Sequence, residues 1–294
     1  MNAIEVDSLV IAYGAGRPAV DGLSLSVRHG SFFGLLGPNG AGKSSFISCI
    51  GGLVRPSSGT VRVLGLDAVT DRAVVARRLG IVPQSLALYG DLSVRENLRF
   101  FAGLYGVRGA SLAGRITAAL DLAQLTDRAG SRVSTLSGGM ARRLNLAVAL
   151  LHDPEVIICD EPTTGVDPQS RLHLFDALRR LHAEGRTVIY TTHYMEEVEA
   201  LCHDVAIVDR GKLVALGPLQ ELLASHGLEG PEPTKSQSFT VVAPAEVDPA
   251  GIVLLLKRAG IPSEGVTPVR ATLEDVFMAR TGRALRDGEP CRPN

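Results

Sequence analysis

Eight consecutive residues constrain this chain more than any others. Gly37-Pro38-Asn39-Gly40-Ala41-Gly42-Lys43-Ser44 follow the pattern Gly, any four residues, Gly-Lys, then Ser or Thr. They lie between an apolar run, Phe32–Leu36, and a segment of helical character, Lys43–Gly51. Glycines at this spacing let successive backbone N–H groups turn inward around phosphate oxygens, and a helix opening at Lys43 adds the positive end of its dipole. Lys43 is then placed to reach the β- and γ-phosphates, and the Ser44 hydroxyl to ligate Mg²⁺. Lysine occurs only at 43, 212, 235 and 257, the basic residues being otherwise arginine, so its presence in this loop is no by-product of abundance. A strand, a glycine-rich loop and a helix in that order predict a nucleotide site.

A second stretch fits the first. Val156-Ile157-Ile158-Cys159 is an uncharged run that ends in two carboxylates, Asp160 and Glu161. Such a run reads as a strand buried on both faces, the pattern of a parallel sheet. The C-terminal ends of strands in these sheets face the ligand crevice. Asp160 is therefore the candidate holder of Mg²⁺, through water, and Glu161 the candidate group that polarises an attacking water beside the γ-phosphate. A helix-capping role for either residue stays open at this point.

Elsewhere, short Val/Ile/Leu-rich runs alternate with segments of helical period. Strands are expected at Ile4–Val10, Ser24–Val27, Thr60–Leu64, Thr187–Tyr190, Val205–Val208 and Lys212–Ala215. Helices are expected at Val94–Tyr105, Leu112–Leu125, Gly139–Leu151, Gln169–Ala183, Met195–Leu201 and Leu219–Ala224. Ser93 and Glu96 have capping-box spacing. On the helix from Gly139, the residues Met140, Leu144, Val148 and Leu151 share one face, with Arg142, Arg143 and Asn145 off it. The expected class is α/β, a sheet covered by helices. Residues 226–237 are rich in Gly, Pro and polar side chains and read as a linker. Beyond it a strand (Phe239–Val242) and helices (Ala250–Ala259, Leu273–Arg280) suffice for a small α+β appendage over 238–294.

Charge and cysteine usage narrow the function. The 30 Lys+Arg balance 31 Asp+Glu, which argues against a general nucleic-acid binder. Four scattered cysteines predict no disulfide framework and fit a reducing compartment. The N-terminus lacks the pattern of a signal peptide, and no apolar run approaches the roughly 20 residues of a membrane helix. A membrane function would need another chain to supply the span.

Leu136-Ser137-Gly138-Gly139-Met140 opens a helix just upstream of the acidic strand and downstream of the phosphate loop. With this third motif in order, residues 4–225 resemble the nucleotide-binding subunit of an ATP-binding cassette (ABC) transporter. The resemblance implies a P-loop NTPase fold with a RecA-like core, an antiparallel β subdomain and a helical subdomain at about 85–150, the whole cassette spanning 1–225. It implies that Tyr13 stacks on adenine and that Gly37 to Ser45 hold the nucleotide. It implies that Gln84 contacts Mg²⁺ or water and senses the membrane partner. Ser137, Gly138 and Gly139 would bind the γ-phosphate held by a second copy. Gly165-Val166-Asp167 would link the two sites, and His193 would contact the γ-phosphate. Two departures stand out: Met140 replaces the family's usual Gln, and Ser45 its commoner Thr.

Four stretches resemble the ATPases of ABC-2-type exporters, including drug-resistance and nodulation-factor systems. They are Ser93–Tyr105, the Met140-bearing motif, Thr192–Leu201, and Thr272–Phe277 with Thr281-Gly282-Arg283. The resemblance implies ATP and Mg²⁺ as cofactors, a homodimer and separate transmembrane permease subunits. It places the chain at the cytoplasmic face of the inner membrane. Residues Ser85–Leu104, with Phe100, Phe101 and Tyr105, would line the permease groove, although core packing explains those aromatics equally well. The alternatives are a soluble ABC ATPase acting on nucleic acid, ribosomes or cofactor assembly, and a regulatory module that closes without hydrolysis. Lys43, Asp160, Glu161 and His193 disfavour the second. The neutral charge and single cassette disfavour the first.

Overall fold

The alternation of short apolar runs with amphipathic segments builds two sheets and a helical layer. The computed structural model describes residues 1–226 and 272–282. The expected linker beyond residue 226, the strand at Phe239–Val242 and the helix at Ala250–Ala259 lie outside the described residues. One sheet is antiparallel, in the order β2 (Val20–Arg28), β1 (Asn2–Ile11), β4 (Ser58–Val63), β5 (Leu66–Asp67). Along β2 buried and exposed side chains largely alternate, as expected of a sheet wet on one face.

The second sheet has the order β10 (Lys212–Pro218), β9 (Asp204–Asp209), β3 (Phe32–Leu36), β8 (Thr187–Thr192), β7 (Val156–Asp160), β6 (Leu79–Val82). Every residue of β3, β7 and β8 is buried, so the uncharged runs read as two-sided core strands are that. β9, β3, β8, β7 and β6 run parallel, and β10 closes the edge antiparallel. α1 (Lys43–Ile50), α6 (Pro168–Ala183), α7 (Met195–Leu201) and α8 (Leu219–His226) accompany this sheet. Phe32, Leu36, Ile157, Val188 and Tyr190 pack with Leu174 and Leu178 of α6 on one face, and Phe33, Leu35, Ile158 and Ile189 with Phe46 and Ile50 of α1 on the other.

α3 (Val94–Leu104), α4 (Ala110–Ala123) and α5 (Gly138–Ala149) form a separate core around Leu98, Ile116, Leu120, Leu144 and Val148. Ser93 caps α3 in a complete capping box with Glu96. Met140 packs against this core on the predicted apolar face of α5. The same face assignment is corrected at Asn145, which is buried rather than off the core. Its amide is paired, Oδ1 accepting from Ala87 N–H (3.1 Å) and Nδ2 donating to Pro83 O (3.4 Å). A buried amide with partners is tolerated where a bare one is not.

Among the described residues the sequence expectations omit β5, the short α2 (Arg72–Val75), β6 and two single-turn 3-10 helices at Thr126–Arg128 and Val133–Thr135. β6 is four residues with Gly80 inside and Pro83 after it, a weak strand signature. The C-terminal α9 (Leu273–Thr281) begins in a second capping box, Thr272 with Asp275, and ends at Gly282 with φ of 70°. Leu273, Val276 and Phe277 are fully buried in the core shared with α6, α7 and α8, and Glu199 of α7 accepts the Leu273 N–H at 3.2 Å.

Candidate functional site

Register decides where the chemistry gathers. In the parallel sheet Leu36 pairs with Thr192, Asp160 with Thr191 and Val82 with Cys159. Four neighbouring strands therefore end level, and the residues next in sequence share one edge: Gly37 of the phosphate loop, His193, Glu161, and Pro83-Gln84. This is the strand end where ligands bind in open α/β sheets.

The phosphate loop is built around positive-φ glycines. Gly42, at φ 104°, sits where a Cβ would lie 2.2 Å from the Ala19 carbonyl oxygen, so both conformation and space exclude a side chain. No side chain caps α1 and its first turn holds no acidic residue, which leaves its N–H groups for an anion. The buried Lys43 ammonium donates to Gly37 O (2.6 Å) and Pro38 O (3.2 Å) and lies 3.0 Å from Glu161 Oε1. Those three partners use its three donors. Ser44 is exposed beside it, and Ser45 Oγ lies 3.4 Å from the hydroxyl of the exposed Tyr13.

Glu161 is the hub. It is buried, at φ 44°, a left-handed conformation that costs a non-glycine residue energy and is concentrated at functional sites. Its backbone N–H is held by Thr191 O (3.1 Å) and Thr191 Oγ1 (3.2 Å). Gln84 Nε2 donates to Oε2 at 3.0 Å and Thr164 Oγ1 at 3.4 Å, while His193 Nδ1 lies 3.3 Å from the same oxygen without the alignment of a hydrogen bond. Burial works to raise the pKa of Glu161, yet Lys43 and then His193 outweigh it and hold the carboxyl below the usual range. Of the four residues expected to do the chemistry, Lys43, Gln84 and His193 all meet the fourth, Glu161.

Asp160 is buried and accepts 2.7 Å from Thr191 Oγ1. Among the described residues it has no ion-pair partner, so its carboxylate keeps capacity for a hard cation or that cation's water, and the Ser44 hydroxyl is of the same oxygen chemistry. This donor set fits Mg²⁺ with most of its waters retained. Ser137 caps α5, its hydroxyl accepting from Met140 N–H at 3.3 Å. Gly138 has open space around it, nothing lying within 4 Å of a built Cβ, whereas a Cβ on Gly139 would lie 1.9 Å from Ser170 Oγ in the first turn of α6. Asp167 caps that helix by accepting from Ser170 N–H at 2.9 Å.

Several residues in this neighbourhood were not anticipated. Glu197, buried on α7, accepts from Thr163 Oγ1 (2.7 Å), Tyr190 OH (3.0 Å) and Thr192 Oγ1 (2.7 Å). It thus ties the turn after Glu161 to the strand end before His193. Burial pushes the Tyr190 phenol well up and keeps it a donor. The local signal for Glu197 is its place in the first turn of α7, directly after the strand end at His193. Arg142 also reaches the site, donating to Gln84 O and to Thr164 O (3.2 Å). Among the other histidines, His29 is exposed while His152 and His182 pack. His152 stacks on Tyr105 at 3.8 Å, which accounts for Tyr105, and His182 packs edge-on against Phe32.

A sheet of this topology, with a phosphate loop and an acidic strand end side by side, defines a P-loop nucleotide-binding protein. The family described as ABC transporter matches residues 20–164. The linearmycin resistance ATP-binding protein LnrL of Bacillus subtilis (strain 168) is 45% identical over 224 residues, 76% of this chain and 72% of that protein. The Nod factor export ATP-binding protein I of Paraburkholderia xenovorans (strain LB400) is 41% identical over 304 residues, 97% of this chain and 99% of its own length. A dimeric ATP-binding cassette in a post-hydrolysis state, bound to ADP and Pi, superposes with a TM-score of 0.67 at 25% identity, covering 74% of this chain and 98% of that one. The chain belongs to the ABC transporter family and is an ATP-binding ATPase of that family. Among the described residues no helix is long and apolar enough to cross a membrane.

Proposed function

We propose that two copies of this chain pair head to tail, each holding ATP and Mg²⁺ on its own phosphate loop and closing it with Ser137-Gly138-Gly139 of the other. The cycle of closing and opening drives export through separate membrane-spanning subunits, with the cassette of residues 1–225 at the cytoplasmic face of the inner membrane and 238–294 as an accessory region. The observation that carries the reading is the convergence of Lys43, Gln84 and His193 on one strained, buried carboxylate at the strand-end crevice.

Glu161 is the proton acceptor for the attacking water. Because the donors of Lys43 are all taken, a γ-phosphate oxygen has to replace one of its three partners, and the proposed exchange is with Glu161 Oε1. Losing that cation removes the main influence that depresses the carboxyl's pKa, so the base gains proton affinity as substrate arrives. His193 and Gln84 keep Glu161 oriented, and His193 faces the γ-phosphate. Ser44 and Asp160, with Gln84, would hold Mg²⁺, which neutralises charge on the phosphate oxygens when bound. Tyr13, exposed and 3.4 Å from Ser45 Oγ, is the residue assigned to stack on the adenine.

The dimer explains an otherwise idle glycine. Gly139 is required by Ser170 of its own chain, but nothing within the described chain requires Gly138. Gly139→Ala is expected to force α5 and α6 apart and cost about 1–3 kcal/mol, seen as a lower Tm. Gly138→Asp is expected to leave Tm unchanged or slightly higher, an acidic residue in a first turn being favourable. It should still stop steady-state hydrolysis, since a carboxylate facing phosphate costs several kcal/mol. Full ATPase activity in Gly138→Asp would count against the second copy's role.

The permease seat is assigned to the segment from Ser85 to Leu104, where Leu86, Tyr89, Phe100 and Leu104 are exposed and Tyr89 packs edge-on to Phe100 at 4.9 Å. Phe101, half-buried against the helical core, belongs to packing. Replacing Phe100 and Leu104 by Asp should preserve Tm and abolish co-purification with a detergent-solubilised polytopic subunit. Retained co-purification would move the seat elsewhere. The relatives' names, linearmycin resistance and Nod factor export, and the near-neutral charge favour this export reading over a soluble ATPase working on nucleic acid.

A further inference from the structure

Arg142 stands on α5, one turn after Ser137-Gly138-Gly139, and was expected to face away from the core. It is instead partly buried, and among the described residues no carboxylate lies within ion-pair distance of it. Its guanidinium is shared between two main-chain carbonyls, Gln84 O and Thr164 O, the latter at 3.2 Å. Those two residues have something else in common. Gln84 Nε2 (3.0 Å) and Thr164 Oγ1 (3.4 Å) donate to the same oxygen, Oε2 of Glu161. One arginine therefore fixes, from behind, the backbones of both residues whose side chains hold one oxygen of the proton acceptor. Asn145, three residues further along α5, clasps the same loop at Ala87 N and Pro83 O.

We propose that Arg142 is a positioning residue for Glu161, and that it links the helix carrying Ser137-Gly138-Gly139 to the proton acceptor of the same chain. The planar fork of arginine suits two carbonyls on different segments, and a lysine ammonium cannot match its span. Burial disfavours the charge, with the two carbonyls in place of a counter-ion, so the group is held for its geometry rather than for an ion pair. A shift of α5 moves Gln84 and Thr164 together and changes how Glu161 is held. The helix that receives the second copy's nucleotide thus also sets the base in its own site.

The proposal rests on the assignment of Glu161 as base, and the two are tested apart by a double-mutant cycle on the full chain with ATP and Mg²⁺. Arg142→Ala should lower the single-turnover hydrolysis rate about tenfold, as loss of an orienting outer partner does, with the KM for ATP changed less than about twofold. Arg142→Lys should fall between. In a Glu161→Gln background Arg142→Ala should cost nothing further, because a residue that acts only through Glu161 has nothing left to position. An equal loss in both backgrounds, or an undiminished rate in Arg142→Ala, overturns the proposal while leaving Glu161 in place. A near-normal rate in Glu161→Gln alone overturns the base assignment, and this proposal with it. Should Arg142→Ala fail to fold, Arg142→Lys replaces it in the cycle, and the same outcomes support or overturn the proposal.

Discussion

Glu161→Gln is expected to bind ATP as tightly as the wild-type chain and to lose turnover by about 10²–10⁴-fold, the range for removal of a general base. The amide keeps the shape and can still accept from Lys43, so the phosphate loop and its lysine remain assembled. It cannot take a proton from water. Loss of hydrolysis without loss of binding separates Glu161 from Lys43, Ser44 and Asp160, whose removal should weaken the nucleotide complex itself. Equilibrium ATP binding set beside steady-state hydrolysis reads both quantities. Turnover near the wild-type rate would remove Glu161 from the mechanism.

Lys43→Ala should act on both halves of the site. A charge-assisted hydrogen bond contributes roughly 1.5–3 kcal/mol, so ATP affinity should fall about 10- to 150-fold. Hydrolysis should fall further, because the charge that develops on the transferred phosphoryl loses the cation supplied by the phosphate loop. The substitution also leaves Glu161 buried without its ammonium partner. Breaking a buried pair by removing one partner costs about 3–5 kcal/mol, so the nucleotide-free variant should melt lower at neutral pH.

The pH dependence of that difference has a definite sign. In the wild-type chain the Glu161 carboxyl is held below its unfolded value of about 4.3. Its contribution to stability is present above that value and is lost as pH falls through the lower, folded one. Without Lys43, burial prevails and raises the carboxyl, so protonation relieves the variant as pH falls. The gap in Tm between the two proteins should therefore narrow from pH 7 to pH 4. A gap that widens on acidification would contradict the described pairing of Lys43 with Glu161.

What could be read before the fold was known follows a physical line. Motifs whose chemistry is written in consecutive residues were legible: the phosphate loop, the acidic strand end and the helix opening at Leu136–Met140. Uncharged runs such as Val156–Cys159 announced two-sided burial, and the structure buries every residue of β3, β7 and β8. The four-residue β6 was not legible, because its pairing with β7 outweighs a local pattern broken by Gly80. The side chains that hold motifs together from a distance were also hidden. Periodicity puts Arg142 and Asn145 on a polar face, and only the path of the loop from Pro83 to Ala87 across α5 turns that face inward. Glu197 reads as one acidic residue among several in Met195–Leu201, yet three hydroxyls from two other segments close on it. Nothing local to those residues encodes their partners, since the contacts exist only once the sheet register is set.

The central claim, that each hydrolytic site takes its phosphate loop from one copy and Ser137-Gly138-Gly139 from the other, is tested most directly by mixing two inactive proteins. Lys43→Ala and Gly138→Asp should each be inactive alone. In a heterodimer one site carries both lesions and the other carries neither. Steady-state hydrolysis should therefore appear on mixing, while the double variant Lys43→Ala/Gly138→Asp mixed with either single variant stays silent. A mixture of the two single variants that remains inactive would contradict the shared site.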